Sequence, residues 1–108
     1  MYTIEELDKM TIERLMGMQI TDEKVYAQYR EVMSPLLHEH GGSFKYDFKV
    51  SEVLKSPTPE PINRVFLICF PSQEKMDSFF SNDEYLKIKK EFFSPSVGAV
   101  TPISIYAR

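Results

Sequence analysis

The side chains able to do chemistry in this 108-residue chain are few: two histidines, one cysteine, and a scatter of tyrosines and arginines. With residues 22–40 set at 100° per residue, His40 falls near the centre of an apolar arc and His38 about 160° away, so the two do not form a metal pair. The ordinary reading of His40 is a last-turn residue at the negative end of a helix, just ahead of a Gly41-Gly42 stop. Its chemical reading is an acid, base or hydrogen-bond donor in a pocket, which titration near neutral pH suits. Tyr29 shares that face, where its hydroxyl either enters a cavity between helix and sheet or is satisfied within the core. Arg64 and Arg14 lie in apolar segments; a guanidinium there either grips a ligand carboxylate bidentately or pairs with Asp47 or Glu13, the simpler arrangement. We assign catalysis to His40 and Tyr29, and ligand contact to Arg64, Tyr46 and Phe48, the last two as cavity wall or as packing against a second copy.

Missing residues exclude other chemistries. Cys69 stands alone, with no CxxC and no Cys/His spacing, so no metal site and no iron–sulfur cluster is expected. There is no Gly-rich phosphate loop and no serine elbow with a histidine and carboxylate behind it. Residues 83–93 offer no histidine to a heme, and no cofactor is expected. Thirteen Lys and Arg against sixteen Asp and Glu give a net charge of −3, which argues against nucleic acid and anionic membranes as partners. The longest apolar run, Val65 to Phe70, is too short to span a bilayer. With one cysteine and an acidic start lacking an apolar leader, the expected setting is the cytoplasm.

A small set of elements must position the candidate groups. Thr3 and Glu6 have capping-box spacing, and Ile4, Leu7 and Met10 make a narrow apolar stripe, so residues 1–11 read as a helical arm that packs on the body or on a partner. Residues 12–108 read as one domain. Ile12 to Ile20 reads as a strand with both faces partly buried. Asp22 is a good N-cap and Gly41-Gly42 a good stop, which sets a helix over 22–40 whose core face carries Val25, Tyr29, Val32, Met33, Leu36, Leu37 and His40; Pro35 kinks it on the solvent side without ending it. Ser43 to Val50 alternates, placing Phe44, Tyr46, Phe48 and Val50 on one face and Lys45, Asp47 and Lys49 on the other. Three prolines in Ser56–Pro61 make a loop, Val65 to Phe70 is a central strand, and Ser72 caps a short helix that Asn82-Asp83 breaks before a second one. A last strand covers Thr101 to Tyr106, with Pro102 restricted to its start or to an edge.

The order strand, helix, strand, strand, helix, strand is a split βαββαβ unit, which predicts an α+β ferredoxin-like fold: a four-stranded antiparallel sheet with its helices on one face. Its central strands are those read as apolar on both faces, so the uncovered face predicts a homodimer built sheet against sheet. The residues Tyr26, Tyr29, Pro35 and Leu36, then His40-Gly41-Gly42-Ser43-Phe44, Val53-Leu54, Phe70-Pro71-Ser72 and Glu84-Tyr85, resemble the domain-of-unknown-function 1330 family. The resemblance spans roughly residues 14–106 and implies the dimeric α/β-barrel superfamily, which includes cofactor-free monooxygenases, heme-degrading enzymes and small isomerases. The reading that follows is a dimeric small-molecule-binding protein, with a monooxygenase- or isomerase-like cofactor-independent enzyme acting on a small apolar or aromatic compound as its catalytic form. The alternative is a non-catalytic dimeric sensing or structural module.

Overall fold

A computed structural model describes residues 3–8 and 10–108, for Leu7 and Asp8 the backbone alone. Its elements are α1 (Ile4–Asp8), β1 (Ile12–Ile20), α2 (Glu23–Glu39), β2 (Ser43–Lys49), β3 (Arg64–Phe70), α3 (Gln73–Ser81), α4 (Asp83–Ile88) and β4 (Val97–Ala107). The strands form one antiparallel sheet in the order β2-β3-β1-β4, which is the ferredoxin-like arrangement. None of the described helices is long and apolar enough to cross a membrane.

Local chemistry accounts for the element ends. The Asp22 carboxylate accepts from the Val25 N–H at 3.0 Å, Ser72 Oγ accepts from the Lys75 N–H, and Asn82 caps α4 through the Glu84 and Tyr85 N–H groups. At the other end of α2 the Gly42 N–H reaches back to the Leu37 carbonyl and the Gly41 N–H to that of His38, a Schellman closure that sets Gly41 at φ +74°. α2 runs through Pro35 without interruption. In α1 the Glu6 N–H donates to Thr3 Oγ1, as in a capping box, and the Thr3 hydroxyl donates in turn to the Glu6 carboxylate. Ile4 is 80% exposed and Met10 half-buried, while the Leu7 side chain in the expected stripe lies outside the described residues.

β2 departs from simple alternation. Phe44 pairs with Ile68, but Tyr46 already pairs with Leu67 and Asp47 with Phe66, so Lys45 is an inserted residue. Such a bulge lets two neighbours share a face. Phe44 and Asp47 therefore face the helices, while Tyr46 and Phe48 face away from them. Of the four positions expected on one side, Phe44 is thus separated from Tyr46 and Phe48, and Val50 lies beyond the end of the strand.

The helix-side core joins Ile12, Met16, Met18 and Ile20 of β1 and Phe66, Ile68 and Phe70 of β3 to Tyr26, Met33, Leu37, Phe79 and Tyr85 of the helices. On the opposite face Leu67 and Cys69 are buried, and Glu13 is covered by the side chains of Lys45 at 3.0 Å and Arg108 at 3.4 Å. The proline loop between β2 and β3 is pinned at its base. The Val50 N–H donates to the Asn63 carbonyl, and the Asn63 side-chain amide pairs with both the N–H and the carbonyl of Ile20. Ile62 then lies over Gly17, where a Cβ would sit only 3.0 Å from it.

Candidate functional site

Between the helix layer and the sheet lies a cavity of about 330 Å³. Arg14, Met16 and Met18 of β1, Phe66 and Ile68 of β3 and Phe44 of β2 form its floor; Tyr26, Tyr29 and Met33 of α2 and Phe80 of α3 close it, with Tyr85, Lys89 and Phe93 from the α4 side. Val100 and Lys89, both exposed, mark the opening. The volume falls at the small end of the range for ligand sites, and aromatic rings and flexible methionines supply most of the wall. Arg14 and Met16 also border a second hollow of about 230 Å³ along Pro102–Ile105.

Spacing brings Tyr85, Lys89 and Phe93 to one wall. In an α-helix the eighth residue on is turned about 80° from the first. Here α4 continues as a π-helical turn over Lys89–Phe93, closed by the Ser94 N–H on the Lys89 carbonyl, and the wider turn keeps Phe93 facing Tyr29 at 5.1 Å.

Besides Tyr26, whose hydroxyl accepts from Arg30, the buried polar groups of the cavity are a pair of phenols. The hydroxyls of Tyr29 and Tyr85 are 2.9 Å apart and both residues are 4% exposed. Each hydroxyl carries one hydrogen, so one donates to the other and the second hydrogen is left for another acceptor. Burial raises the pKa of both phenols, that of Tyr29 far above its ordinary value with Tyr85 adding to the effect, so the pair stays neutral and acts as a donor and not as a base. Behind the Phe44 wall, Arg30 stacks 3.7 Å over the Phe44 ring, donates to the Tyr26 hydroxyl and pairs with Asp47 at 3.2 Å. Burial would raise the Asp47 carboxyl, but the Arg64 and Arg30 guanidiniums outweigh it and hold the group below its ordinary value.

Residues 15–99 match the family described as a domain of unknown function (DUF1330). The chain belongs to this family. Among solved structures it is similar to a protein of unknown function from Rhodopseudomonas palustris, at 18% identity and a TM-score of 0.77 over 91% of this chain and 82% of that one. It is also similar to a hydroxynitrile lyase from Passiflora edulis, at 14% identity and a TM-score of 0.64 over 93% and 94% of the two chains. A third likeness is to a dimeric protein of unknown function with a ferredoxin-like fold from Bacteroides fragilis, at 10% identity and a TM-score of 0.57 over 89% and 94%. At these identities the likeness is one of fold. No curated protein matches the chain.

Of the residues singled out in the sequence, Tyr29 and Arg14 line the cavity and the others lie elsewhere. His40 is the C-cap of α2: its Nδ1–H donates to the Leu36 carbonyl at 2.9 Å and its ring meets Phe79 edge-on. Arg64 is engaged bidentately by Asp47 at 2.8 and 3.0 Å and by Glu23 at 3.6 Å, the simpler arrangement foreseen for it. Tyr46 and Phe48 stack on each other on the outer face, because the bulge at Lys45 turns them from the helices. Tyr85 and Lys89 enter the site beside them. Their signal was partial: Tyr85 has core spacing and Lys89 reads as solvated, and neither reveals a shared wall. No group of three His, Cys, Asp or Glu side chains able to hold a metal ion occurs among the described residues.

Proposed function

We propose that this protein binds a small aromatic or apolar compound in the cavity beneath α2 and α4, and that it does so as a homodimer joined through its outer sheet faces. The observation that carries the binding reading is the cavity itself, a 330 Å³ space walled by rings and methionines around one donor-bearing phenol pair. Well-packed interiors keep few voids larger than a water molecule, so a space of this size is what a ligand would otherwise fill. Titration with indole, benzyl alcohol and 1-naphthylacetamide should give saturable thermal stabilisation. Val100→Trp, which fills the exposed mouth, should abolish it. Absence of stabilisation by any aromatic probe, charged or neutral, would overturn the reading.

The dimer is supported by the outer face, where Tyr46 and Phe48 are 58% and 54% exposed beside half-buried Leu15 and Val65. Exposed rings over an apolar strand pair make the kind of patch that a second copy covers. The similarly folded Bacteroides protein is described as dimeric. Sedimentation equilibrium should give twice the chain mass, and Phe48→Glu should halve it; a wild-type monomer at micromolar concentration would refute the interface.

A catalytic reading rests on the same phenol pair. The unpartnered hydrogen would polarise a bound carbonyl and stabilise the oxyanion formed from it, and a chain of similar fold is a hydroxynitrile lyase. If turnover of an aromatic carbonyl compound is found, Tyr29→Phe and Tyr85→Phe should lower kcat with little change in KM. Turnover that both variants retain would remove the pair from the chemistry.

A further inference from the structure

We infer that the compound taken by the cavity is an organic carboxylate, received by Arg14. The inference rests on the cavity being a ligand site and adds the chemical class of the ligand.

Arg14 is singular among the arginines. Arg30 and Arg64 pair with Asp47, and Arg108 pairs with Glu13. Arg14 has no carboxylate and no hydrogen-bond partner among the described residues; its one close companion is the face of Phe80, 5.1 Å from the guanidinium carbon. Glu13, its neighbour in sequence, points to the opposite side of the sheet, where Lys45 and Arg108 occupy it. No aspartate or glutamate lines the cavity. A guanidinium does not shed its proton, so the charge of a half-buried Arg14 has to be met by water or by an anion that enters.

The remaining polar groups of the cavity point the same way. Lys89 brings a second cation to the mouth, and the phenol pair contributes a free hydrogen on Tyr85 or Tyr29. The Phe80 ring that Arg14 lies over, 5.1 Å away, is itself 5.6 Å from the Tyr85 ring, so guanidinium and phenol flank the same side chain. The site thus offers donors and positive charge without an opposing carboxylate, a match for the planar two-oxygen acceptor that a guanidinium receives bidentately. The apolar wall excludes small inorganic anions, which would lose their hydration with nothing to replace it over most of their surface. With a net charge of −3 the protein as a whole repels anions, so any preference for one must arise locally.

The test compares 1-naphthylacetate with 1-naphthylacetamide, which share a shape and differ in charge at pH 7, by following naphthalene fluorescence. Wild type should bind the carboxylate about tenfold more tightly or better. Arg14→Met should bring the carboxylate down to the affinity of the amide and leave the amide unchanged. Equal affinity of wild type for the two probes, or a preference that survives in Arg14→Met, overturns the inference while the binding site stands. Failure of both probes removes the binding site itself. If Arg14→Met does not give a cooperative melt, the wild-type comparison and exposed Lys89→Met decide: the latter should weaken the carboxylate several-fold and the amide not at all, and equal effects on both overturn the inference.

Discussion

The hydroxyl pair of Tyr29 and Tyr85 can be taken apart one oxygen at a time. Phenylalanine keeps each ring, so the contacts of Tyr29 with Phe93 at 5.1 Å and of Tyr85 with Phe79 at 4.5 Å persist and no cavity term arises. Tyr29→Phe then removes one hydrogen bond and leaves the Tyr85 hydroxyl facing the cavity, at a cost of about 1 kcal/mol. In a domain of this size that lowers Tm by about 4–8 °C. Tyr85→Phe should cost the same, for the mirror-image reason. The double variant has no orphaned hydroxyl and no bond left to lose, so it should be no less stable than either single one. The double-mutant cycle closes with a coupling of about 1 kcal/mol. Urea melts of the four proteins measure it. Because burial keeps both phenols neutral well into alkaline pH, the coupling should be the same at pH 6 and pH 9. Additive costs, about 2 kcal/mol in the double variant, would refute the claim that the hydroxyls serve each other.

Other perturbations have equally definite outcomes. A Cβ at Gly42 would collide with Leu37 Cδ1 and lie 3.1 Å from Phe70, both side chains being fully enclosed, so Gly42→Ala should cost about 1–3 kcal/mol in a denaturant melt; an unchanged midpoint would contradict the tight closure of α2. Chiefly through the Lys45 hydrogen bond, the Glu13 carboxyl is held below its ordinary 4.5, so its contribution to stability is present above that pH and is lost as pH falls through the lower folded-state value. Glu13→Gln should accordingly destabilise at neutral pH and converge with wild type in acid, whereas parallel pH–stability curves would disprove the pairing. His40→Ala should lower Tm through loss of the Leu36 bond and leave 1-naphthylacetamide affinity unchanged, and a weakened titration with unchanged Tm would place His40 in the ligand path.

The outline of the fold was legible because its punctuation is local. Asp22, Ser72 and Asn82 act as caps within three residues of themselves, Gly41 supplies its own left-handed turn, and β1 is bounded by Ile12 and Ile20 as its apolar pattern requires. Hidden from the sequence were features decided by pairing at a distance. Alternation in Ser43–Val50 looks uninterrupted, and only the partner strand shows that Lys45 has no opposite number and that Tyr46 has changed sides. Tyr29 and Tyr85 each have helical core spacing, but their hydroxyls meet across 56 residues of chain. The choice between Arg64 and Arg14 turned on which of them would find Asp47, and the bulge settles it by turning Asp47 toward Arg64.

The clasp at the base of the proline loop gives the molecule a site where the chain can be altered without disturbing the rest. Asn63 lends its side chain to Ile20 as if it were another residue of the sheet, and Val50 closes the opposite strand onto it, so the loop's ends are held together whatever lies between them. The entropy of closing a loop rises slowly, by about 0.6 kcal/mol for each doubling of its length. The stretch between Ser51 and Pro61 is therefore a natural place for insertion, tagging or circular opening: a peptide grafted there would be displayed at one end of the sheet, while the strands that floor the cavity keep their register.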